Sequence, residues 1–590
     1  MGLPAKRVKL MDFDGDGWPD VLVMNVDGAP WLAKQVAAGK EPSQQLKKAA
    51  RTQLWSLYLS RPGAAGSRRF VDYTKESGIR CGRPYHLAIA GDIDNDGDLD
   101  LVCTGYATQH PGQSIETPAF VLKNDGHGCF TPFDQAKAKG KEPVGPGEYS
   151  ETVCAASFVD YDRDGRLDLF LGSWYRYWGG DLQYYAAYPD RLYRGLGDGR
   201  FGDKTADLGM MQKESVLDTL SEAERKSGQL RPESREHFGR GAHKPTYGTA
   251  AADWDNDGDA DLFSTSYGRQ WNLHWQNEGQ RFVEVGRVTR FDGDADRTGV
   301  YPKAFHPEGR RAELPFRSNG NSFDMSFADY DNDGDLDVVV SEFTHAWAGS
   351  SCDITRVLTN MGPEEGFAFE RKLSLKRKHS RRNWNQGDYC TAWADIDGDG
   401  WQDLLISSCV YPDHNVLELY RQIPGTGRFV RMTELIGLDW PDSAQISLGD
   451  YDGDGDLDIL AGNFPHPSRR GKLAERVALF RNDVMNARGH AFLSLRLEGR
   501  GEGGTSRSAV GTRVYVTTGT LRQLREVSAA RGHAGHQDGL VVHFGLGRAK
   551  KIDRLEVHWS GKGSKPQVFE DVEPRQFLRL REGGLLTRVK

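Results

Sequence analysis

Short apolar runs recur along the chain, each soon broken by Gly, Ser or Asn. Val21-Leu-Val-Met24, Leu169-Phe-Leu-Gly172, Val338-Val-Val-Ser341 and Ile459-Leu-Ala-Gly462 are examples. They are brief and rich in β-branched or aromatic residues, so the pattern predicts strands. Each such run follows directly on a nine-residue polar stretch of the form Asp-x-Asp-x-Asp-Gly-x-x-Asp. Copies start at Asp12, Asp92, Asp160, Asp253, Asp329, Asp395 and Asp450. The second position is always large and apolar (Phe13, Ile93, Tyr161, Trp254, Tyr330, Ile396, Tyr451), which predicts a plug seating the loop against a sheet.

The third copy lays out a whole unit. Ala155–Val159 is the expected inner strand, Leu169–Ser173 the second, Asp190–Arg194 the third and Arg200–Thr205 the outer one. Similar third strands are expected at Phe120–Lys123, Val357–Asn360, Leu417–Arg421 and Val477–Arg481. The loop starts are 80, 68, 93, 76, 66 and 55 residues apart. A four-stranded propeller blade takes about 40–50 residues, so the repeats read as blades with insertions. The fold class expected is all-β: a seven-bladed β-propeller with calcium-binding loops over residues 1–488, and a small C-terminal β domain over 489–587. In that tail the acidic loops stop and alternating strands follow at Phe492–Leu497, Thr512–Thr517, Leu521–Val527, Val541–Phe544, Leu555–Trp559 and Phe577–Leu580. Two insertions, Gln45–Leu59 and Lys213–Lys226, read as helical.

The loops carry the chemistry. Carboxylates at positions 1, 3, 5 and 9 can converge on one ion, with the position-7 carbonyl as a further ligand. These are Asp12, Asp14, Asp16 and Asp20; Asp92, Asp94, Asp96 and Asp100; Asp160, Asp162, Asp164 and Asp168; Asp253, Asp255, Asp257 and Asp261; Asp329, Asp331, Asp333 and Asp337; Asp395, Asp397, Asp399 and Asp403; Asp450, Asp452, Asp454 and Asp458. Ca2+ takes about 6–8 oxygen ligands in loose geometry, which suits such a loop better than Mg2+. Up to seven Ca2+ ions are expected, and their removal should loosen the loops, because like charges this close repel. An EF-hand would end in Glu at position 12, where this chain has Val23, Cys103, Leu171, Ser264, Val340, Ile406 and Ala461. The acidic run Asp292–Asp296 lacks the turn glycine and reads as an insertion loop.

Charge sharpens the picture. Of a net −8, the seven loops hold 32 Asp against two Arg, so everything else sums to +22. Seven bound Ca2+ would leave a basic molecule able to meet anionic partners such as an acidic polysaccharide; evenly spread solvating Lys and Arg are the plainer alternative. The basic run Lys372–Arg382 reads as a solvated blade edge or a polyanion contact. Seven cysteines without a C-x-x-C exclude common zinc and thioredoxin motifs. Cys390 and Cys409 flank the sixth loop on strands expected to pair, and a disulfide there is one option. No apolar run is long enough for a transmembrane helix. No signal peptide is visible at Met1, and an upstream leader is expected.

These motifs support a resemblance. The loops with their strands resemble FG-GAP/VCBS repeats of integrin-α-type propellers. Ser508-Ala-Val-Gly-Thr-Arg-Val514, Arg525-Glu-Val527, His543-Phe-Gly-Leu-Gly547 and Ile552-Asp-Arg-Leu-Glu-Val-His-Trp559 resemble the ASPIC/UnbV domain. Together they resemble the cartilage acidic protein family. His533-Ala-Gly-His-Gln-Asp538 and Ser560 depart from its usual pattern. The resemblance implies an extracellular or cell-envelope calcium protein with an adhesion or binding role towards a protein or glycan ligand, and no nucleic-acid partner. No serine-nucleophile elbow, P-loop or His-Glu-x-x-His occurs. The alternatives are a carbohydrate-active enzyme (lyase, dehydratase or hydrolase), drawing on His86, Glu151, His237, Arg240, His243 and Tyr247 at a channel mouth, and a structural assembly protein.

Overall fold

The computed structural model describes residues 6–24, 55–79, 87–104, 119–133, 153–174, 187–212, 221–222, 243–268, 270–293, 320–344, 354–375, 386–409, 415–464 and 476–589. Nearly everything in it is strand. The sole α-helix among the described residues is the short Val484–Arg488. The strands form antiparallel meanders in chain order. The first runs Arg7–Met11, Asp20–Met24, Ser56–Pro62 and Arg68–Asp72. The next begin with Leu87–Gly91, Val153–Val159, Thr246–Ala252, Ser322–Ala328 and Gln386–Ala394, each followed by three further strands. The last described meander has Ser443–Gly449, Asp458–Asn463 and Ala478–Phe480. In every case the nine-residue acidic loop joins the first strand to the second.

First strands are mostly buried, and from the second meander to the last successive ones pack together. Arg7–Met11 lies against Ser443–Gly449, so the last meander returns to the first. Gln445 N–H donates to the Lys6 carbonyl at 3.2 Å, and Leu10 N–H to Ser447 Oγ at 3.0 Å. The result is a propeller-like ring whose apolar clusters lie between neighbouring sheets. Phe13, Leu22 and Leu57 of the first meander, for instance, meet Ala88, Leu101 and Leu122 of the second.

The tail has two four-stranded sheets. One orders Val541–Gly545, Phe492–Glu498, Gln576–Arg581 and Leu586–Arg588; the other Leu521–Glu526, Arg513–Thr518, Ile552–His558 and Gln567–Val572. Leu493, Leu495, Val514, Val516, Phe544, Leu555 and Val557 share one buried core.

Two expectations are corrected. Gln45–Leu59 is not a helix through its length, because Ser56–Leu59 belong to the strand Ser56–Pro62; Leu57 and Leu59 alternate inward, a period-2 pattern. Residues 45–54 and nearly all of 213–226 lie outside the described residues. Cys390 and Cys409 are both free thiols. Their strands do pair, but Cys390 sits opposite Ser407, while Cys409 N–H bonds Gly387 beyond the ladder.

Candidate metal centres

Each acidic loop closes on itself in the same way. The position-1 carboxylate accepts the N–H of the turn glycine, from Gly17 to Asp12 at 3.1 Å and from Gly400 to Asp395 at 2.7 Å. The other five copies repeat this bond. The turn glycine has positive φ in every copy, from 87° at Gly17 to 107° at Gly97, which is why no other residue stands there. The position-5 carboxylate accepts the position-7 N–H, as from Trp18 to Asp16 at 2.9 Å.

Position 9 does something the sequence pattern does not reveal. Both its oxygens are used by backbone. Asp20 accepts Phe13 N–H at 2.8 Å and Ser60 N–H at 2.7 Å; Asp337 accepts Tyr330 N–H at 3.2 Å and Asn360 N–H at 2.8 Å. The carboxylate thus ties the loop to the end of the third strand, and the same double bond recurs at Asp100, Asp168, Asp261, Asp403 and Asp458. The position-2 residues are the buried plugs expected, Tyr451 being half-buried.

The remaining oxygens decide what the loops can hold. Buried oxygens without a hydrogen-bond partner remain on Asp12, Asp92, Asp94, Asp162, Asp253, Asp255, Asp331, Asp397 and Asp452, at position 1 or 3, so every copy has one there; Asp259 and Asp456, at position 7, have one too. Carboxylate oxygens of Asp12, Asp14 and Asp20 lie within 4.8 Å of one another, as do those of Asp92, Asp94 and Asp96, of Asp160, Asp162 and Asp168, and of Asp253, Asp255 and Asp257. Burial and then the neighbouring carboxylates push Asp160 up to about 8 and Asp331 up to about 6. A buried orphan oxygen is costly, and a hard divalent cation is the partner such a set suits. Of the Asp292–Asp296 run, only Asp292 and Gly293 are among the described residues. Cations of the chain meet the Oδ2 oxygens of the same loops: Arg61 bonds Asp14 at 2.7 Å, Arg194 bonds Asp162 at 2.6 Å, and Lys123 and Arg421 pair with Asp94 and Asp397.

The tail covers this face of the ring. Arg496 reaches Asp12 at 2.8 Å and Arg513 reaches Asp253 at 3.3 Å. Gly503 N–H donates to the Asp164 carbonyl at 2.9 Å, Gly547 N–H to Gly398 O at 2.8 Å, and His543 Nε2 lies 2.8 Å from Gly455 O. A cavity of about 570 Å³ remains between ring and tail, lined by Asp12, Asp92, Asp395 and Asp450 on one side and Arg496, Arg507 and Arg525 on the other.

Beyond the strand Leu521–Glu526 the tail runs down among the first strands of the ring and touches all seven described ones. Phe158 N–H donates to Ala529 O at 3.1 Å, and Gly532 and His533 pair with Thr249 and Gly248. His533 N–H donates to Asp324 at 2.9 Å, and Lys9 Nζ to Gly535 O at 2.8 Å. Gln537 exchanges two bonds with the Ala90 backbone, at 2.9 and 2.7 Å. Ser447 donates to Gln537 O at 2.9 Å, and His536 lies 3.1 Å from the Cys390 sulfur. Among the residues suggested for catalysis, Tyr247 stacks on His533 with ring centroids 4.4 Å apart. His243 is half-buried. His86, Glu151, His237 and Arg240 lie outside the described residues.

A second recurrent device escaped the sequence reading. The amide at the end of the third strand bonds the position-2 carbonyl of the preceding loop: Asn124 to Phe13 at 2.8 Å, Asn277 to Tyr161 at 3.0 Å, Asn360 to Trp254 at 3.1 Å, Gln422 to Tyr330 at 3.0 Å and Asn482 to Ile396 at 2.8 Å. It staples five of the seven sheets to the one before. The signal was there as Asn or Gln closing strand after strand.

Comparison with known proteins agrees with these units. The FG-GAP-like repeat family matches residues 12–103, 92–171 and 385–461, and the ASPIC and UnbV family matches residues 501–585. The chain therefore carries FG-GAP-like repeats and an ASPIC/UnbV domain. No curated protein matches it. Among solved structures it is similar to an exotype rhamnogalacturonan lyase, YesX, at 11% identity and a TM-score of 0.34, covering 81% of this chain and 65% of that one. It is also similar to a functionally unknown protein from Desulfotomaculum acetoxidans DSM 771 (6% identity, TM-score 0.32, 69% and 84% covered) and to AofleA from Arthrobotrys oligospora (10%, 0.28, 73% and 87%). The chain spans about two-thirds of the lyase's length, and at these scores none of the three carries an argument about activity.

Proposed function

We propose that this is a calcium-stabilised binding or adhesion protein of the cell envelope or extracellular space, built as a seven-bladed propeller capped by its own tail and related to the cartilage acidic protein family. The observation that carries the reading is the repeated set of buried, unpartnered oxygens at positions 1 and 3 of the loops. Each loop would hold one Ca2+ through its carboxylates at positions 1, 3, 5 and 9, with position 9 also fastening the loop to its sheet. Bound ions supply charge compensation and rigidity, and no reaction step is assigned to them.

The topology adds a direction. In an antiparallel meander the first-to-second and third-to-fourth connections share one end of the strands. The second-to-third connections and the links between meanders share the other. The acidic loops and the tail occupy the first end. The described strands that flank the long connections 134–152, 213–242 and 294–319 end and begin at the other, and Phe369–Ser374, where the basic run Lys372–Arg382 starts, ends there too. Ligand recognition, towards a protein or an anionic glycan, is assigned to that opposite end, since inserted connections on a rigid scaffold commonly carry function. No helix among the described residues is long and apolar enough to cross a membrane.

A glycan array read in calcium and in EDTA, with a parallel turnover screen on acidic polysaccharides, tests this reading. Calcium-dependent retention without product is the expected result. Product release would replace the binding function with the enzymatic one.

A further inference from the structure

Where the tail crosses the ring, a second group of ligand-type side chains meets, separate from the aspartate loops. Asp324 comes from the strand Ser322–Ala328, Cys390 from Gln386–Ala394 and His536 from the tail. One donor atom from each lies within 4.8 Å of the other two, and all three side chains are buried. His536 Nδ1 is 3.1 Å from Cys390 Sγ. The other ring nitrogen, Nε2, has no hydrogen-bond partner and lies 3.8 Å from Asp538 Oδ1. Asp538 is itself fixed by Arg531 at 2.6 Å and by the Leu448 N–H at 2.8 Å.

Three features distinguish this group from an isolated thiol–imidazole contact. Thiolate, imidazole and carboxylate are the donors zinc takes, whereas calcium takes oxygen alone. A histidine that binds metal through one nitrogen regularly directs the other to a carboxylate, and here Asp538 Oδ1 stands 3.8 Å from Nε2, close by but longer than a hydrogen bond. Asp324 retains a free acceptor position. Its Oδ2 takes Thr391 N–H at 2.7 Å and Thr391 Oγ at 2.9 Å, but its Oδ1 takes only His533 N–H at 2.9 Å.

The surrounding charge is compatible with a dication. Arg531 is neutralised by Asp538. Lys9 directs its amine at Gly535 O, and burial, the largest influence on it, lowers its pKa to about 7.

We propose that Asp324, Cys390 and His536 form a structural transition-metal site, best suited to Zn2+, that clamps the tail to two strands of the ring. Binding replaces the Cys390 S–H bond by a sulfur–metal bond and releases one proton to solvent, with no change of oxidation state. Three protein ligands leave the fourth tetrahedral position to a water. The three ligands are far apart in sequence, so the site exists only when the tail is seated.

The test uses the full chain produced in medium with Co2+ in place of Zn2+, then washed in calcium buffer. One tightly held cobalt per chain is expected, with the near-ultraviolet thiolate-to-cobalt band. Cys390→Ser and His536→Gln should each lower retained metal at least tenfold and abolish the band. Cys409→Ser, a neighbouring buried thiol, should keep both. X-ray absorption of the wild-type cobalt protein should find one sulfur neighbour, which decides the matter even if a variant fails to fold. A wild-type protein that retains no transition metal, a metal with no sulfur neighbour, or retention unchanged in Cys390→Ser would overturn the site and leave a buried hydrogen bond. Calcium binding is scored separately in the same samples, so failure of the loop reading is distinguishable from failure of this one.

Discussion

At the scale of single residues, the stapling amides and one buried cation carry the clearest consequences. Asn360 donates through its side chain to two carbonyls, Trp254 at 3.1 Å and Leu336 at 3.3 Å, and is 1% exposed. Asn360→Ala leaves both carbonyls unsatisfied, and each such group costs about 1–3 kcal/mol. Denaturant titration should show a loss of that order, with Asn360→Asp no better, because a carboxylate cannot donate. Lys244 is 3% exposed, with its amine 5.5 Å from the Trp271 ring centroid. Burial lowers its pKa to about 8, against which Glu284 pulls it up. An unfolded lysine titrates near 10.4, so below pH 8 the folded state bears the whole penalty, on the order of 3 kcal/mol. The penalty fades as pH rises from 8 to 10.4 and is absent above. Lys244→Met should therefore raise the melting temperature at pH 7 and have little effect at pH 10.5. An equal gain at both values would refute the charge argument.

At the scale of elements, the meanders were legible and the tail's path was not. Val153–Val159 and Asp168–Ser173 follow from apolar periodicity beside a fixed turn, because burial on a sheet face imposes that pattern. The segment Ala529–Leu540 is small, polar and glycine-rich, and so resembles a surface turn. Its residues are chosen for clearance. A Cβ on Gly532, whose φ is 62°, would lie 1.5 Å from Asp324 Oδ1, and one on Gly535 would lie 2.3 Å from Ile89 Cγ2. Gly532→Ala should therefore unseat the tail. Limited proteolysis, followed by mass spectrometry, should find new cleavage within residues 528–540 that is absent from wild type. Unchanged resistance would mean that the channel tolerates more than its packing implies. A second task of the position-9 aspartates was hidden for a related reason: spacing identifies a carboxylate but not the backbone groups that reach it from the third strand.

For the whole molecule, the loops dominate the energetics. Seven acidic clusters packed against one ring cannot all be neutralised by Arg61, Lys123, Arg194 and Arg421, so the ions are expected to contribute a large part of the stability. Anything binding only the folded form stabilises it by about 2.7 kcal/mol per site at a hundredfold excess over Kd. EDTA should lower the melting temperature by well over 10 °C, and added Ca2+ should restore it more effectively than Mg2+. An unchanged transition would sink the metal reading of the loops. The ring and the ASPIC/UnbV tail were both visible in the sequence, whereas their union was not. Arg513 on Asp253 and Gln537 on Ala90 join positions hundreds of residues apart that no local pattern links.

That union also dictates an order of events during synthesis. Arg7–Met11, made long before Ser443–Gly449, wait for that strand before their sheet has its neighbour, and the centre stays unfilled until Gln537 emerges. Contacts of such sequence separation form late and slowly. A nascent chain stalled before residue 529 holds every aspartate loop yet has an open hub. Residues 529–540 must have been made before the protein can become a closed wheel with its axle in place.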